Sequence, residues 1–455
     1  MNTLSPSVLS WLSTILKERF GHYFTFSYQN DKLCMELIGH KGTITFTPNS
    51  TFTEASTNAP CSNWNAEQEG FVSVIGGVIP VPCMSDLPKP LIQFNTENKQ
   101  AHVGYDILGL TYWMLNRIEE IGSSALDNHG RFPAISSHAF KHNYLERPIV
   151  DEWLNVLGQV IQKVWPNLEL KQHQFSMKVS HDVDSPSLYA FKPWKTIIRM
   201  MGGHLIKRRD IKAFFQAFWV KLTSGKKLHP QDPHNTFDWI MSLSEKQGLK
   251  SAFYFICGHT DDKDADYIPE NPRIQALMQE IHQRGHEIGL HPSYGTYQKP
   301  ELIYQEAERL RKVCNLAGVK QDTYGGRMHY LRWEHPTTLQ AWEDADMSYD
   351  TTLSYADRPG FRCGTCFEYT AFNPLTQKQL KLKIRPLIAM ECTIIAKRYM
   401  NLGYTEKAFK KFIELKNNCR KVKGCFTLLW HNSHFTNQED FEMYENILKF
   451  QNKIV

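Results

Sequence analysis

From residue 174 to its end the chain alternates short apolar runs with amphipathic segments, and few folds tolerate that rhythm. The strand candidates are 175–181, 251–257, 286–291, 323–328, 347–354, 383–390 and 425–431. Between most of them lies a helix with clear punctuation. One opens at Pro272, sets Ile274, Leu277, Met278 and Ile281 on one face, and stops at Gly285. Others run from Pro300 to Gly318, from Pro336 to about Asp346, from Thr405 to Gly424, and over about 438–450. Such alternation implies parallel strands joined by right-handed crossovers. Seven units, with polar residues gathered just after the strands, favour a seven-stranded (β/α) barrel over an open sheet. Sites on such barrels lie at the carboxyl ends of the strands.

Residues 1–170 follow another pattern and read as a separate α+β unit ahead of a 171–455 barrel. Strand-like runs at 41–47 and 71–75 come first, then a helix over Tyr105 to Ile121. A second helix starts at Pro148 and buries Val150, Trp153, Leu154, Leu157, Ile161 and Val164. This half shows no catalytic constellation. A length of 455 residues fits two or three domains. The eleven Trp and 42% hydrophobic content exclude a disordered chain. A net charge of +5 is too mild to imply nucleic acid.

No apolar run approaches the ~18 residues needed to span a membrane. The first twenty residues lack the layout of a signal peptide and read as an amphipathic helix. Ten scattered Cys suggest a reducing compartment, so the expected location is cytoplasmic. Cys363 and Cys366 form one CxxC with no second pair, which makes structural zinc improbable and ordinary loop cysteines the better reading. One insertion breaks the strand–helix rhythm. Residues 192–227 carry ten Lys or Arg and one acid, Asp210, with Phe214, Phe215, Phe218 and Trp219 interleaved. The plain expectation is a solvated helix whose aromatics dock on the barrel. The sharper one is a surface for anionic lipid or an acidic glycan, with peripheral contact at the inner face of a membrane.

The chemistry gathers at strand ends. Asp182 and Asp184 close the first strand of the barrel, in "SHDVDSP". Alternate strand residues share a face, so both carboxylates point one way; one suits a divalent metal and the other a proton from water. A D-x-D by itself is as often a turn former. In "GHEIGLHPSYGTY", His291 sits at a strand tip, where imidazole suits zinc, while His286 has the opposite parity and reads as structural. His431 ends the last strand in "LLWHNSHF" and is suited to protonate a leaving amine. Arg327 in "GGRMHYLRW" can hold a carboxylate ionised by a bidentate pair. Asp357, Arg358 and Arg362 follow the fifth strand. Singly, each reads as a salt-bridge residue; together they converge on one end of the barrel.

With those motifs in that order, the segment from about 174 to 455 resembles the polysaccharide deacetylase family, the NodB-homology or carbohydrate esterase family 4 fold. The resemblance implies a distorted barrel of that type, with Asp182 as base and Asp184 as metal ligand. "GHEIGLH" matches the run at the family's second motif and implies His291 as a second ligand. Arg327 and Tyr330 match the arginine-bearing motif, Asp357 loosely the fourth, and His431 the closing Leu-x-His acid. Arg362 is a candidate substrate contact. The N-terminal unit resembles an accessory region found in one bacterial subgroup. The family's second motif normally supplies another histidine four residues on, and here that position is Gly295. Either His329 or His259 completes the site, or two ligands plus waters suffice, or the metal has been lost.

The implied activity is hydrolysis of an N-acetyl group on an amino sugar, with a divalent metal, zinc first, as cofactor. Expected substrates are a nucleotide sugar or a lipid-linked oligosaccharide. Two other classes stay open: a non-catalytic glycan-binding relative, and a glycosyltransferase using Asp182 and Asp184 to clamp a nucleotide sugar. A relative of allantoinase is a variant of the main reading.

Overall fold

The computed structural model describes residues 3–449; the outer ends of the expected units, 1–2 and 450–455, lie outside it. The N-terminal part opens with the expected helix, Pro6–Phe20, capped by Ser5 and ended at Gly21 in the left-handed conformation. The helix lies along the edge strand of a five-stranded sheet of β1 (Phe24–Gln29), β2 (Lys32–Leu37), β3 (Thr43–Phe46), β6 (Ile92–Asn95) and β7 (Gln100–Val103), in the order β1-β2-β3-β7-β6. A separate ribbon pairs β4 (Cys61–Asn65) with β5 (Val78–Pro82). Helices follow at Ile107–Leu115 and Ile149–Val164. The strand expected over 71–75 does not form. Phe71 N–H turns back to Ala66 O, and Val72 is bonded on both backbone groups by the Gln159 side chain, which leaves nothing for a partner strand.

The second part is a mixed α/β unit built on parallel strands. They are β8 (Ser176–Val183), β9 (Ser251–Ile256), β10 (Glu287–His291), β11 (Gly325–Gly326), β12 (Tyr349–Asp350), β15 (Ala389–Met390) and β16 (Cys425–Leu429). A hairpin, β13 (Tyr369–Asn373) and β14 (Lys378–Ile384), adds two more. The sheet order is β13-β14-β12-β11-β10-β9-β8-β16-β15. The helices expected after Pro272, Pro300, Pro336 and Thr405 form, and the first two end at Gly285 and Gly318, both at positive φ.

Seven strands closed into a barrel are not what the structure shows. The ladder has nine strands and two ends, and no closed barrel is present among the described residues. The expected strand 383–390 is split. Its first part belongs to the hairpin and pairs with β12, and its last two residues pair with β16. Between them, Leu387 N–H donates to Leu353 O and Ile388 N–H to Thr427 O, without a regular ladder on either side. The expected strand 323–328 shrinks to two glycines for a steric reason. A Cβ on Gly326 would lie 1.8 Å from Leu290 O, so only glycine lets this backbone approach β10 so closely.

The N-terminal part packs closely on the second. One apolar core runs through both parts. Trp11 Nε1–H donates to Thr370 O at 2.9 Å, and Tyr369 O–H to Leu115 O at 2.7 Å. All ten cysteines are free thiols. Cys363 and Cys366 are buried in this shared core rather than in a solvated loop, and burial raises both thiols above their ordinary value.

Candidate metal centre

The central strands are buried on both faces, as parallel strands covered by helices are. Their carboxyl ends open into a cavity of about 250 Å³. Asp182, Asp184, His291, His329, Tyr330 and His431 all line it. β8 brings Asp182 and Asp184 there at the two-residue spacing of a single face. His291 is the last residue of β10 and lies beside them because β9 pairs in parallel with both β8 and β10.

His291 Nε2 is 3.3 Å from Asp184 Oδ1 and 3.7 Å from Asp182 Oδ2. His329 Nε2 is 3.8 Å from Asp184 Oδ1. Ligand atoms of Asp184, His291 and His329 all lie within 4.8 Å of one another. Both imidazoles are oriented from behind. His291 Nδ1 faces Arg327 O at 2.6 Å, and a carbonyl only accepts, so the proton sits on Nδ1. His329 Nδ1 faces Asp264 Oδ1 at 3.0 Å. Each ring therefore turns a lone pair on Nε2 toward Asp184, the arrangement typical of histidine ligands. Asp184 Oδ1 is buried with no hydrogen-bond donor. A carboxylate and two imidazoles around an unsatisfied oxygen fit zinc or a similar transition metal. Burial opposes charge on Asp184, but His329, His291 and His431 in their protonated forms hold its carboxyl far below the ordinary range.

Asp182 is held differently. Arg327 Nη1 donates to Asp182 Oδ1 at 2.7 Å. The guanidinium is itself fixed by Ser180 Oγ (2.9 Å) and Thr351 O (3.1 Å). Opposite stands His431, its Nε2 4.0 Å from Asp182 Oδ2 and 3.7 Å from Asp184 Oδ2. His431 Nδ1 bonds Glu391 Oε1 at 2.5 Å, and His434 Nδ1 reaches the same oxygen at 2.7 Å. Burial disfavours the imidazolium, yet Glu391 and then Asp184 and Asp182 lift His431 to about 9. It is therefore an acid at neutral pH. Glu391, Cys392, His431 and His434 also lie close enough to hold a metal. Glu391 Oε1 is already shared by two imidazoles, and we read this group as the device that charges and aims His431.

The structure places the other candidates elsewhere. Asp357 Oδ1 accepts from Ala134 N–H at 3.1 Å and does not line the cavity. Arg362 is buried against Glu120, with Nε–Oε1 at 3.0 Å and Nη2–Oε2 at 2.5 Å. His259 does not line the cavity either. At Gly295, a Cβ would meet Thr260 Cβ and Oγ1 at 2.8 Å, so a histidine has no room there. His329 enters the cluster from the neighbouring loop instead.

Four contributors were not read from the sequence. Glu391 and His434 follow the same strand-end rule as their neighbours and were legible. Asp264 lies in a polar loop with no distinguishing pattern. Arg131 comes from the N-terminal part: it lines the cavity, and its Nη1 donates to Tyr330 O at 2.8 Å. Tyr330 and Leu331, just after His329, both have positive φ, at 60° and 56°. Such backbone costs of order 1–3 kcal/mol per residue and persists only where its surroundings enforce it. Arg131, together with Arg332 Nε on His129 O at 2.7 Å, supplies that restraint.

Behind the β10 tip, Glu306 accepts from Ser293 N–H at 2.9 Å and from its hydroxyl. Burial pushes the Glu306 carboxyl up from 4.5 to about 7. The folded protein thus holds this proton more tightly than the unfolded chain. The stability it contributes is complete below the ordinary carboxyl value and is lost as pH rises through about 7. The loss is on the order of 3 kcal/mol. Urea unfolding of wild type and Glu306→Gln should show the variant gaining that much on wild type between about pH 4 and about pH 8. A pH-independent difference would contradict the shift.

Comparison with known proteins adds little to this geometry. Residues 2–166 match the model of a family of unknown function, DUF7033. No curated protein matches the chain. Among solved structures, one described as a "putative polysaccharide deacetylase from Mycobacterium smegmatis" is 15% identical with a TM-score of 0.38. A Puue allantoinase is 11% identical with a TM-score of 0.37. Each alignment covers 61% of this chain and 84% of the other. At such values the site is read from its own residues.

Proposed function

We propose that this protein is a metal-dependent hydrolase that removes the N-acetyl group from an amino sugar. One observation carries the reading. A carboxylate held by an arginine and an imidazole charged by a glutamate face each other, 4.0 Å apart, beside an Asp-His-His cluster with an unsatisfied oxygen. Amide hydrolysis needs both ends assisted, because an amine leaves poorly until protonated.

Asp184, His291 and His329 would hold the metal. When bound, it supplies Lewis-acid polarisation of the amide carbonyl and a more acidic water. Asp182, kept as carboxylate by Arg327, accepts the proton of the attacking water. The water oxygen bonds to the carbonyl carbon. His431 then delivers its Nε2 proton to the nitrogen as the C–N bond breaks, and acetate and the free amino sugar leave. Asp182 then releases the proton it accepted, and His431 takes one back from solvent, an uptake favoured by the Glu391 carboxylate on its Nδ1 side. Arg131 and Tyr330 border the space left for the sugar. The substrates we assign are small glycan precursors, nucleotide-linked or lipid-linked, in the cytoplasm, rather than nucleic acid. Because His329 stands in the cluster, Gly295 no longer argues for a glycan-binding relative without metal.

The test is zinc-dependent acetate release from N-acetylated sugars, run beside zinc titration of two variants. Loss of an outer partner alone costs about 10–100-fold in metal affinity, so His329→Ala is expected to lose about a hundredfold or more. His259→Ala should bind as wild type. Equal affinities of all three proteins, or no acetate release with zinc bound, would overturn the reading.

A further inference from the structure

The insertion after β8 folds as a helical hairpin, Trp194–Ile206 and Ile211–Thr223. One face of it is docked. Ile197, Ala217 and Val220 are buried against Tyr189, Lys221 Nζ donates to Ala190 O at 2.9 Å, and Arg273 Nε to Ser224 O at 3.1 Å. The opposite face is not, against the plain expectation that the aromatics dock. Ile211, Phe215, Phe218 and Leu222 form a second apolar stripe at helical spacing, 43–62% exposed. Trp194 and Ile198 continue it on the first helix, where the Trp194 and Phe218 rings lie 6.0 Å apart. Nine of the twenty exposed large apolar side chains among the described residues fall between 194 and 222. Scattered exposure of that kind is ordinary; this concentration on one surface is not.

The charge around the stripe selects its partner. Residues 192–227 hold ten basic side chains and one acid. That acid, Asp210, is engaged in capping the second helix, accepting from Ala213 N–H at 2.8 Å. Lys207, Arg208, Arg209 and Lys212 are exposed where the two helices meet. An apolar stripe bordered by Trp and flanked by cations matches the interface of an anionic bilayer, with apolar side chains among the acyl chains and cations at the phosphates. No described helix is long and apolar enough to cross a membrane, so contact would be peripheral.

We infer that the hairpin at 194–223 docks the protein on an anionic lipid surface. The hairpin begins ten residues after Asp184. The inference does not depend on the chemistry assigned to the cavity, because binding is read without turnover.

Flotation of the full chain with two vesicle types tests it. Vesicles of phosphatidylcholine mixed with phosphatidylglycerol should carry the protein up the gradient; phosphatidylcholine alone should not. Added salt should weaken the binding. The variant with Lys207→Gln, Arg208→Gln and Arg209→Gln together should partition about a hundredfold more weakly, given the usual gain per basic residue at an anionic surface. Phe215→Ser with Phe218→Ser should abolish flotation, while the melting temperature stays unchanged. Equal flotation with both vesicle types, or none, would overturn the inference. So would a dimer in solution that Phe215→Ser with Phe218→Ser dissociates, since the stripe would then be an interface between two copies.

Discussion

Asp182→Asn is expected to lower acetate release by about a thousandfold, within the range a general base contributes. The substitution isolates chemistry from structure. Asn keeps an oxygen that accepts from Arg327 Nη1, now 2.7 Å from Asp182 Oδ1, so the guanidinium stays satisfied. What disappears is the charge that takes a proton. Zinc affinity should stay within a few-fold of wild type, because Asp182 lies outside the Asp184–His291–His329 group. Single-turnover rates at saturating zinc and substrate would measure the effect. A variant within tenfold of wild type would remove Asp182 from the mechanism and leave the carboxylate as a partner for Arg327 only.

Arg362→Met is expected to destabilise the fold by about 3–5 kcal/mol, the cost of stranding a buried charge. Arg362 and Glu120 are both buried, and Glu120 also receives Arg117 Nε at 2.8 Å. Arg117 in turn donates to Tyr355 O–H at 3.0 Å. Two arginines and the carboxylates Glu119 and Glu120 thus form one network between the N-terminal part and the loops after β12. Burial opposes ionisation of Glu120, but Arg362 and then Arg117 hold its carboxyl below the ordinary value. Without Arg362, Glu120 keeps one cation for two nearby acids. Urea unfolding would show the loss, while zinc titration of the remaining folded protein should match wild type. A substrate contact at Arg362 predicts the reverse: intact stability and a raised KM.

The site was more legible than the fold around it. Asp182, Asp184, His291, Arg327 and His431 stand at strand ends in the sequence, and they line or border one cavity in space. Strand-end chemistry is readable because period-two alternation fixes the face a residue takes and the turn fixes where the strand stops. Glu391 obeys the same rule, whereas Asp357 lies on a loop whose path no local pattern sets. The β13–β14 hairpin was also legible. Leu380, Leu382 and Ile384 alternate with polar neighbours, and Asn373-Pro374 marks a turn. Reading a strand only from 383 merged half of that hairpin with β15. The exposed hairpin at 194–223 shows the limit of pattern: an apolar stripe announces that a face will be covered, not by what.

The sequence by itself determined local things: the βα alternation, the helix ends at Gly285 and Gly318, and the carboxylate pair on one strand face. Those follow from backbone sterics and side-chain spacing over a few residues. Tertiary structure alone decided that His329 stands where Gly295 leaves no space, that Arg131 reaches the cavity from the first part of the chain, and that the sheet stays open at its two ends. Each of these depends on which surfaces meet across more than thirty residues of sequence, and a contact at that range is set by packing volume and the pairing of buried charge, which no local spacing encodes.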